Sequence, residues 1–306
     1  MYKRFVFTVF LVTFIVVGGL PLAQADLLEW KKMSFEVSKP VPILNSMTDV
    51  RRIFASPLVC SGCHQHHYEE WSNSFHAKSV RNAGFQALFL KYLEYLRQEE
   101  TKKILGREAG PEELRQCLFC HAPMIQFASD KLVQQVSDAV EKGRWEEIQD
   151  IQISCVVCHT ITPEGKWTGS FVQTGTMYGP IKDPASERVS GHQSKFSPLH
   201  EDSKFCGICH SSKTFNVYCS LVFDKWESVK GVKQCQECHM EAMGKMAVAL
   251  GGKVRPDHSH FFPGGRSKET MAKALDLFLN VEKISPGEIQ VQVSMKSKVL
   301  HNVPDG

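Results

Sequence analysis

The sequence lacks a charge excess of either sign, with 36 Lys and Arg against 33 Asp and Glu in 306 residues. A nucleic-acid-binding chain clusters a basic surplus on one face, so that class is excluded. Long apolar runs are also scarce. The one present, residues 5–17, follows Lys3 and Arg4 and precedes Ala23-Gln24-Ala25. Cations, a short apolar stretch and A-x-A make the order of a secretory signal cut after Ala25. A membrane span needs about 20 apolar residues, and this run is shorter. No second stretch of spanning length follows, which predicts a soluble or peripherally attached product. Removing residues 1–25 takes away two cations and no acid, leaving 34 against 33.

What is abundant is cysteine. Ten of 11 cysteines form five copies of Cys-x-x-Cys-His. These are Cys60-Cys63-His64, Cys117-Cys120-His121, Cys155-Cys158-His159, Cys206-Cys209-His210 and Cys235-Cys238-His239. Two thiols three residues apart reach the two vinyl groups of one porphyrin, and the adjoining histidine then lies under its iron. Zinc also takes Cys-x-x-Cys pairs, but does not account for a histidine after every second cysteine. A disulfide framework does not account for five repeats of one spacing. The pattern predicts five covalently attached c-type haems. The remaining Cys219, in NVYCSLVF, reads as a small buried apolar residue.

Thirteen histidines less the five in motifs leaves His66, His67, His76, His192, His200, His258, His260 and His301, more than five irons need. His76 ends a segment of helical character that begins near Tyr68. His192 and His200 lie in YGPIKDPASERVSGHQSKFSPLHEDSKFCGICH, an irregular stretch long enough to need a task, such as carrying ligands across haem faces. His258 and His260 alternate in RPDHSHFFPGG, so one of the two points at a given iron. His301 stands in VLHNVPDG. His66 and His67 are too close to His64 to reach back to the same iron and read as surface residues or propionate partners. Methionine, the rival axial ligand, shows no pattern, so bis-histidine ligation is expected.

Between motifs the chain reads mainly helical. FQALFLKYLEYLRQEETKKIL (85–105) has apolar residues at helical spacing and ends at Gly106. PEELRQCLFCH (111–121) opens on Pro and two Glu, and SDKLVQQVSDAVEKG (129–143) opens on Ser and closes on Gly, both helix signals. From about residue 276 the character changes. EIQVQVSMKSKV (288–299) alternates as a half-buried strand, with LFLNVEKI (277–284) as its partner, and two strands alone are marginal. The apolar core is modest for the length, so porphyrins supply buried surface and the apoprotein folds poorly. The expected organisation is a signal at 1–25, a pentahaem region at 26–275 and a short β element at 276–306.

CSGCHQHHYEEWSNSFHA (60–77) resembles the opening block of multihaem cytochromes related to cytochrome c-554 and hydroxylamine oxidoreductase. The stretches from YGPIK to FCGICH, CQECHM and HSHFFPGG are similar to later blocks of that group, in the same order, and VLHNVPDG to the turn that follows a strand in many members. The resemblance spans residues 57–306. It implies a mainly α fold wrapped around packed haems, with a small β element at the C-terminus. By position it implies His76, His192, His200, His260 and His301 as distal ligands. Members usually continue into further strands past that turn, which implies a truncated or split protein here. Catalytic relatives carry more haems, a five-coordinate haem and, in hydroxylamine oxidoreductase, a linked tyrosine. In this chain no tyrosine follows Tyr218, and every motif ends in His rather than Lys.

The function expected is therefore electron transfer, without bond chemistry, between redox-protein partners. The protein is expected in the periplasm, or exported as far as the cell surface. One alternative is an oxidoreductase acting on a small nitrogen or sulfur oxyanion at one open haem. The other is a haem subunit of a larger redox complex.

Overall fold

The computed structural model describes residues 41–168, 175–183, 191–214, 217–229 and 233–303. The leader expected at 1–25 and the side chains of Tyr218 and Cys219 lie outside the described residues. Short helices fill the first half: α1 (Met47–Ile53), α2 (Pro57–Ser61), α3 (Gln65–Asn73), α4 (Ala83–Leu96), α5 (Glu99–Leu105), α6 (Pro111–His121), α7 (Asp130–Glu141) and α8 (Cys155–His159). Local sequence sets their ends. Ser46 and Ser129 cap α1 and α7 by accepting from the Asp49 and Leu132 amides, satisfying donors that a helix start leaves open. At the start of α6 the Glu113 carboxylate accepts from the Gly110 amide at 2.7 Å and holds Arg107 at 2.7 Å.

The helix expected over 85–105 is two helices. The chain turns at Arg97 and Gln98, where the Thr101 hydroxyl donates to the Tyr95 carbonyl at 2.7 Å and Arg97 pairs with Glu141 of α7 at 2.9 Å. Those bonds occupy groups that a continuous helix would have used otherwise. Gly106 closes α5 at φ 69°, a left-handed position that glycine adopts without a Cβ clash. The apolar faces of α4, α6 and α7 then meet in one core through Phe89, Leu93, Leu118, Leu132 and Val136, continued by Phe54 and Trp167.

The second half is built differently. Four two-stranded sheets follow one another: β1 (Thr176–Gly179) with β2 (Gln193–Phe196) in parallel, then three antiparallel pairs. These are β3 (Ser212–Thr214) with β4 (Val217–Ser220), β5 (Ala242–Ala247) with β6 (Val254–His258), and β7 (Leu275–Ser285) with β8 (Glu288–Ser297). Short helices at Lys204–His210, Val222–Ser228, Cys235–His239 and Lys268–Ala274 separate them. The Phe223 ring lies over Gly207, where an added Cβ would stand 2.7 Å from it, so only glycine lets these two helices approach. Among the described residues after 168, the one buried apolar side chain is Ala274, and the other buried positions are Thr176, Ser197, Ser203, Ser220 and Asp257. The fold is mainly α with small β elements. The strand expected to be half-buried at 288–299 forms, but every position of β8 is exposed. Among the described residues no helix is long and apolar enough to cross a membrane.

Candidate functional site

On a helix, residues i, i+3 and i+4 share one face. That is the spacing of the two cysteines and the histidine in each motif. The second motif ends α6, the third is α8, the fourth ends Lys204–His210, and the fifth is Cys235–His239. In the first, Cys60 lies in α2, and the His64 amide still bonds the Cys60 carbonyl at 2.9 Å. Each pair of thiols and its histidine therefore projects to one side.

Four of the motif histidines are oriented in one way. Nδ1 donates to a backbone carbonyl: His64 to Val248 at 2.6 Å, His121 to Ser79 at 2.9 Å, His159 to Tyr178 at 2.7 Å and His239 to Pro263 at 2.7 Å. A carbonyl only accepts, so Nδ1 carries the proton and Nε2 keeps its lone pair. That tautomer is the one a metal-bound histidine needs.

Opposite four of the five stands a second ring. His192 faces His64 with centres 6.2 Å apart, His76 faces His210 at 6.4 Å, His260 faces His159 at 6.2 Å, and His301 faces His239 at 6.2 Å. An imidazole nitrogen sits about 2 Å from a first-row metal and its ring centre roughly 1 Å further back, so rings facing across one iron have centres roughly 6 Å apart. The spacing is too wide for ring contact and suits an iron between the two nitrogens. Desolvation, with His210 and His121 adding to it, holds the His76 imidazole neutral, down to about 3. Desolvation, then His159 and His67, does the same for His260, also to about 3.

The other histidines have other places. His200 stands 5.5 Å from His159, which already faces His260, and its Nε2 is directed at the Cys158 carbonyl at 3.3 Å while its buried Nδ1 has no partner. Two of the rings implied as distal ligands, His200 and His260, thus stand beside the same motif histidine, His159. Among the described residues no histidine ring stands opposite His121. Its own ring lies against Phe85 at 4.2 Å. His67 is 6.1 Å from His64, but its Nε2 is taken by the Asp257 carboxylate at 2.9 Å. His258 is exposed, with Nδ1 bonded to the Met240 carbonyl at 2.8 Å.

The thiols connect one motif to the next. Cys60 lies within electrostatic reach of Cys155, Cys120 of Cys209, and Cys206 of Cys235. Cys158 lies within electrostatic reach of Cys206 and Cys209, and desolvation pushes its thiol up to about 12. Motif one thus adjoins three, three approaches four, and four adjoins both two and five. Among the described residues no group of three or more His, Cys, Asp or Glu side chains gathers to hold a bare metal ion. Paired thiols beside paired imidazoles are the donor set of an iron porphyrin, and the residues fit that group.

Residues 59–160, which hold the first three motifs, match the family described as cytochrome c554 and c-prime. The match covers a third of the chain, and with the five motifs it supports a multihaem c-type cytochrome. The cytochrome is similar in fold to a penta-heme cytochrome c552 from Thermochromatium tepidum, with a TM-score of 0.51 and 20% identity. That alignment covers 82% of the cytochrome and 68% of the other chain. No curated protein matches the cytochrome. The match to that segment supports covalently bound c-type haem and electron transfer.

Three residues that shape the cytochrome's site gave no signal in the sequence. Glu70 accepts from the Ser259 hydroxyl at 3.0 Å and the His260 amide at 2.8 Å. Asp257 holds His67. Phe262, at φ 52°, lies 4.5 Å from His76 and 5.9 Å from His260. Glu70 and Asp257 act across about 190 residues of sequence, which no local pattern records.

Proposed function

We propose that the cytochrome carries five haems, is exported, and relays electrons between redox proteins. In this reading four haems are held between paired histidines: His64 with His192, His210 with His76, His159 with His260 and His239 with His301. The observation that carries it is the set of four ring pairs at 6.2–6.4 Å, each built from one motif histidine and one remote histidine. When bound, the haems supply the one-electron couple of iron. The chain's own part is to keep His64, His76, His159 and His260 neutral by burial, fix the motif rings through the Nδ1–carbonyl bonds, and set which haems are neighbours. The thiol contacts support a relay from motif one through three to four, with two and five branching from four. The charged, short and apolar segments of residues 1–25 support export. Redox partners of such a protein bind through small, transient interfaces.

A second reading is favoured by one observation, the lack of a facing ring at His121 among the described residues. An open distal face there would admit a small nitrogen or sulfur oxyanion, making the cytochrome an oxidoreductase as well as a relay. The test is EPR spectroscopy of the fully oxidised holoprotein, with the haem count taken from its intact mass. The relay reading expects five haems, four of them low-spin. A high-spin signal from the fifth that changes on adding nitrite or sulfite supports the second reading. An all-low-spin spectrum removes the second reading and leaves the relay. A mass with fewer than five haems, or high-spin signals from several, overturns the first.

A further inference from the structure

The β7–β8 hairpin is strictly two-faced. Its register pairs Leu277 with Met295, Leu279 with Val293, Val281 with Val291 and Lys283 with Ile289. Paired residues in an antiparallel ribbon point to the same side, and so do residues two apart. One face therefore carries seven aliphatic side chains and, near the turn, Lys283. The other carries the pairs Asp276–Lys296, Phe278–Ser294, Asn280–Gln292 and Glu282–Gln290. That second face finds partners of its own, with Asn280 bonded to Glu282 at 2.9 Å and Asp276 to Lys298 at 2.9 Å.

A clean alternation of this kind belongs to a sheet with one face on a core. Here the seven aliphatic residues are 51–68% exposed. A two-stranded ribbon in water is marginal on its own, yet β7 and β8 are the longest strands among the described residues, at 11 and 10 residues. The apolar face must be covered for the arm to hold its shape.

We infer that the covering partner is the same face of a second copy of this chain, the two ribbons packing face to face about a two-fold axis. Three features select this occupant. Seven side chains with roughly 100 Å² exposed on each present about 700 Å², close to the ~800 Å² per partner of a standard stable interface. Apart from Lys283 near the turn and Ser297 at the far end the face offers hydrocarbon, so its complement is another flat aliphatic face. An isologous contact matches its own length and width by symmetry. A lipid surface fits less well, because elements that lie in one flank their apolar side with several cations and aromatic residues, and this face has a single cation and no aromatic ring. Two ribbons at the spacing of packed sheets, about 10 Å, make a four-stranded sandwich with the aliphatic side chains inside.

Sedimentation equilibrium of the haem-loaded protein tests this. The wild type is expected at twice the mass of one chain at micromolar concentration. Leu279→Lys with Val293→Lys, at the centre of the apolar face, is expected to give single chains with an unchanged haem absorption spectrum. Asn280→Lys with Gln292→Lys, on the other face, is expected to stay paired. A wild type at the mass of one chain overturns the inference, and binding of such single chains to phosphatidylglycerol vesicles would assign the face to a membrane instead. A lysine variant that keeps the doubled mass overturns it too. If the variant cannot be loaded with haem, amide exchange over 277–295 in the wild type decides. Exchange that quickens on dilution supports the pair, and exchange independent of concentration overturns it. None of these results bears on the haem assignment.

Discussion

Glu70 occupies 16% of its free exposure and spends both carboxylate oxygens on the turn that presents His260, one on the Ser259 hydroxyl and one on the His260 amide. It lies on α3, one turn past His66 and His67, so the segment after the first motif positions the ring that faces the histidine of the third. His66 is 3.7 Å from the same carboxylate, too far for a hydrogen bond. Removing the side chain leaves two donors in a part-buried place without acceptors, at about 1–3 kcal/mol each. Glu70→Ala is therefore expected to loosen His260 from its place opposite His159. Oxidised Glu70→Ala protein should show an added high-spin EPR signal worth a fraction of one haem, and Glu70→Gln, which keeps one acceptor oxygen, a smaller one. A spectrum identical to wild type in both variants rules this positioning role out. At this scale the motif residues were fully legible in the sequence, because attachment chemistry confines two cysteines and a histidine to one helical turn. The remote histidines were legible as candidates from their number and position, but not which motif each one faces. Glu70 and Asp257 were not legible at all, since an acid on a helical segment ordinarily faces solvent.

One segment, residues 258–263, serves three motifs. His260 faces His159, the Phe262 ring lies on His76 opposite His210, and the Pro263 carbonyl orients His239. Its path is fixed by the Ser259 amide on the Glu241 carbonyl at 3.0 Å and by the left-handed turn at Phe262. A non-glycine residue at positive φ costs of order 1–3 kcal/mol, and here it aims an aromatic ring at two imidazoles. Phe262→Ala keeps the left-handed strain and loses the ring, letting water nearer to His76 and His260. Water favours the more charged oxidised iron, so two haem potentials are expected to fall, by on the order of tens of millivolts. Spectropotentiometric titration checks this, and unchanged midpoints with intact low-spin signals would refute the role. The elements themselves were readable where local signals act alone, as at Gly110–Glu113 and Ser129. The break at Arg97 and Gln98 was not, because it depends on Glu141 of another helix. The β7–β8 pair was found from its alternation, while its exposure depends on what lies against it, which alternation does not encode.

At the scale of the whole molecule the chain is uneven. Residues 44–167 hold a continuous apolar core around Phe89, Leu118, Val136 and Trp167, whereas among the described residues after 168 the buried apolar contribution is Ala274. Ordering a backbone residue costs about 1–2 kcal/mol, and in small domains that is offset chiefly by apolar burial. The first half can meet much of that cost from its own side chains. The second half, with its short ribbons and the fourth and fifth motifs, has histidines and thiols where a core would be, so porphyrin surface has to serve. Expectation from the sequence was that the apoprotein as a whole folds poorly; the distribution of the core divides that expectation between the halves. Chain made without haem attachment should keep helical circular dichroism from α4, α6 and α7 at reduced amplitude. Limited proteolysis of it should leave a fragment containing the core from Leu44 to Trp167, with cuts concentrated in the segments that carry the fourth and fifth motifs. The holoprotein should resist over both halves. Cleavage spread evenly along the haem-free chain would show that the first-half core does not stand alone, and uniform resistance would show that haem contributes little to order in the second.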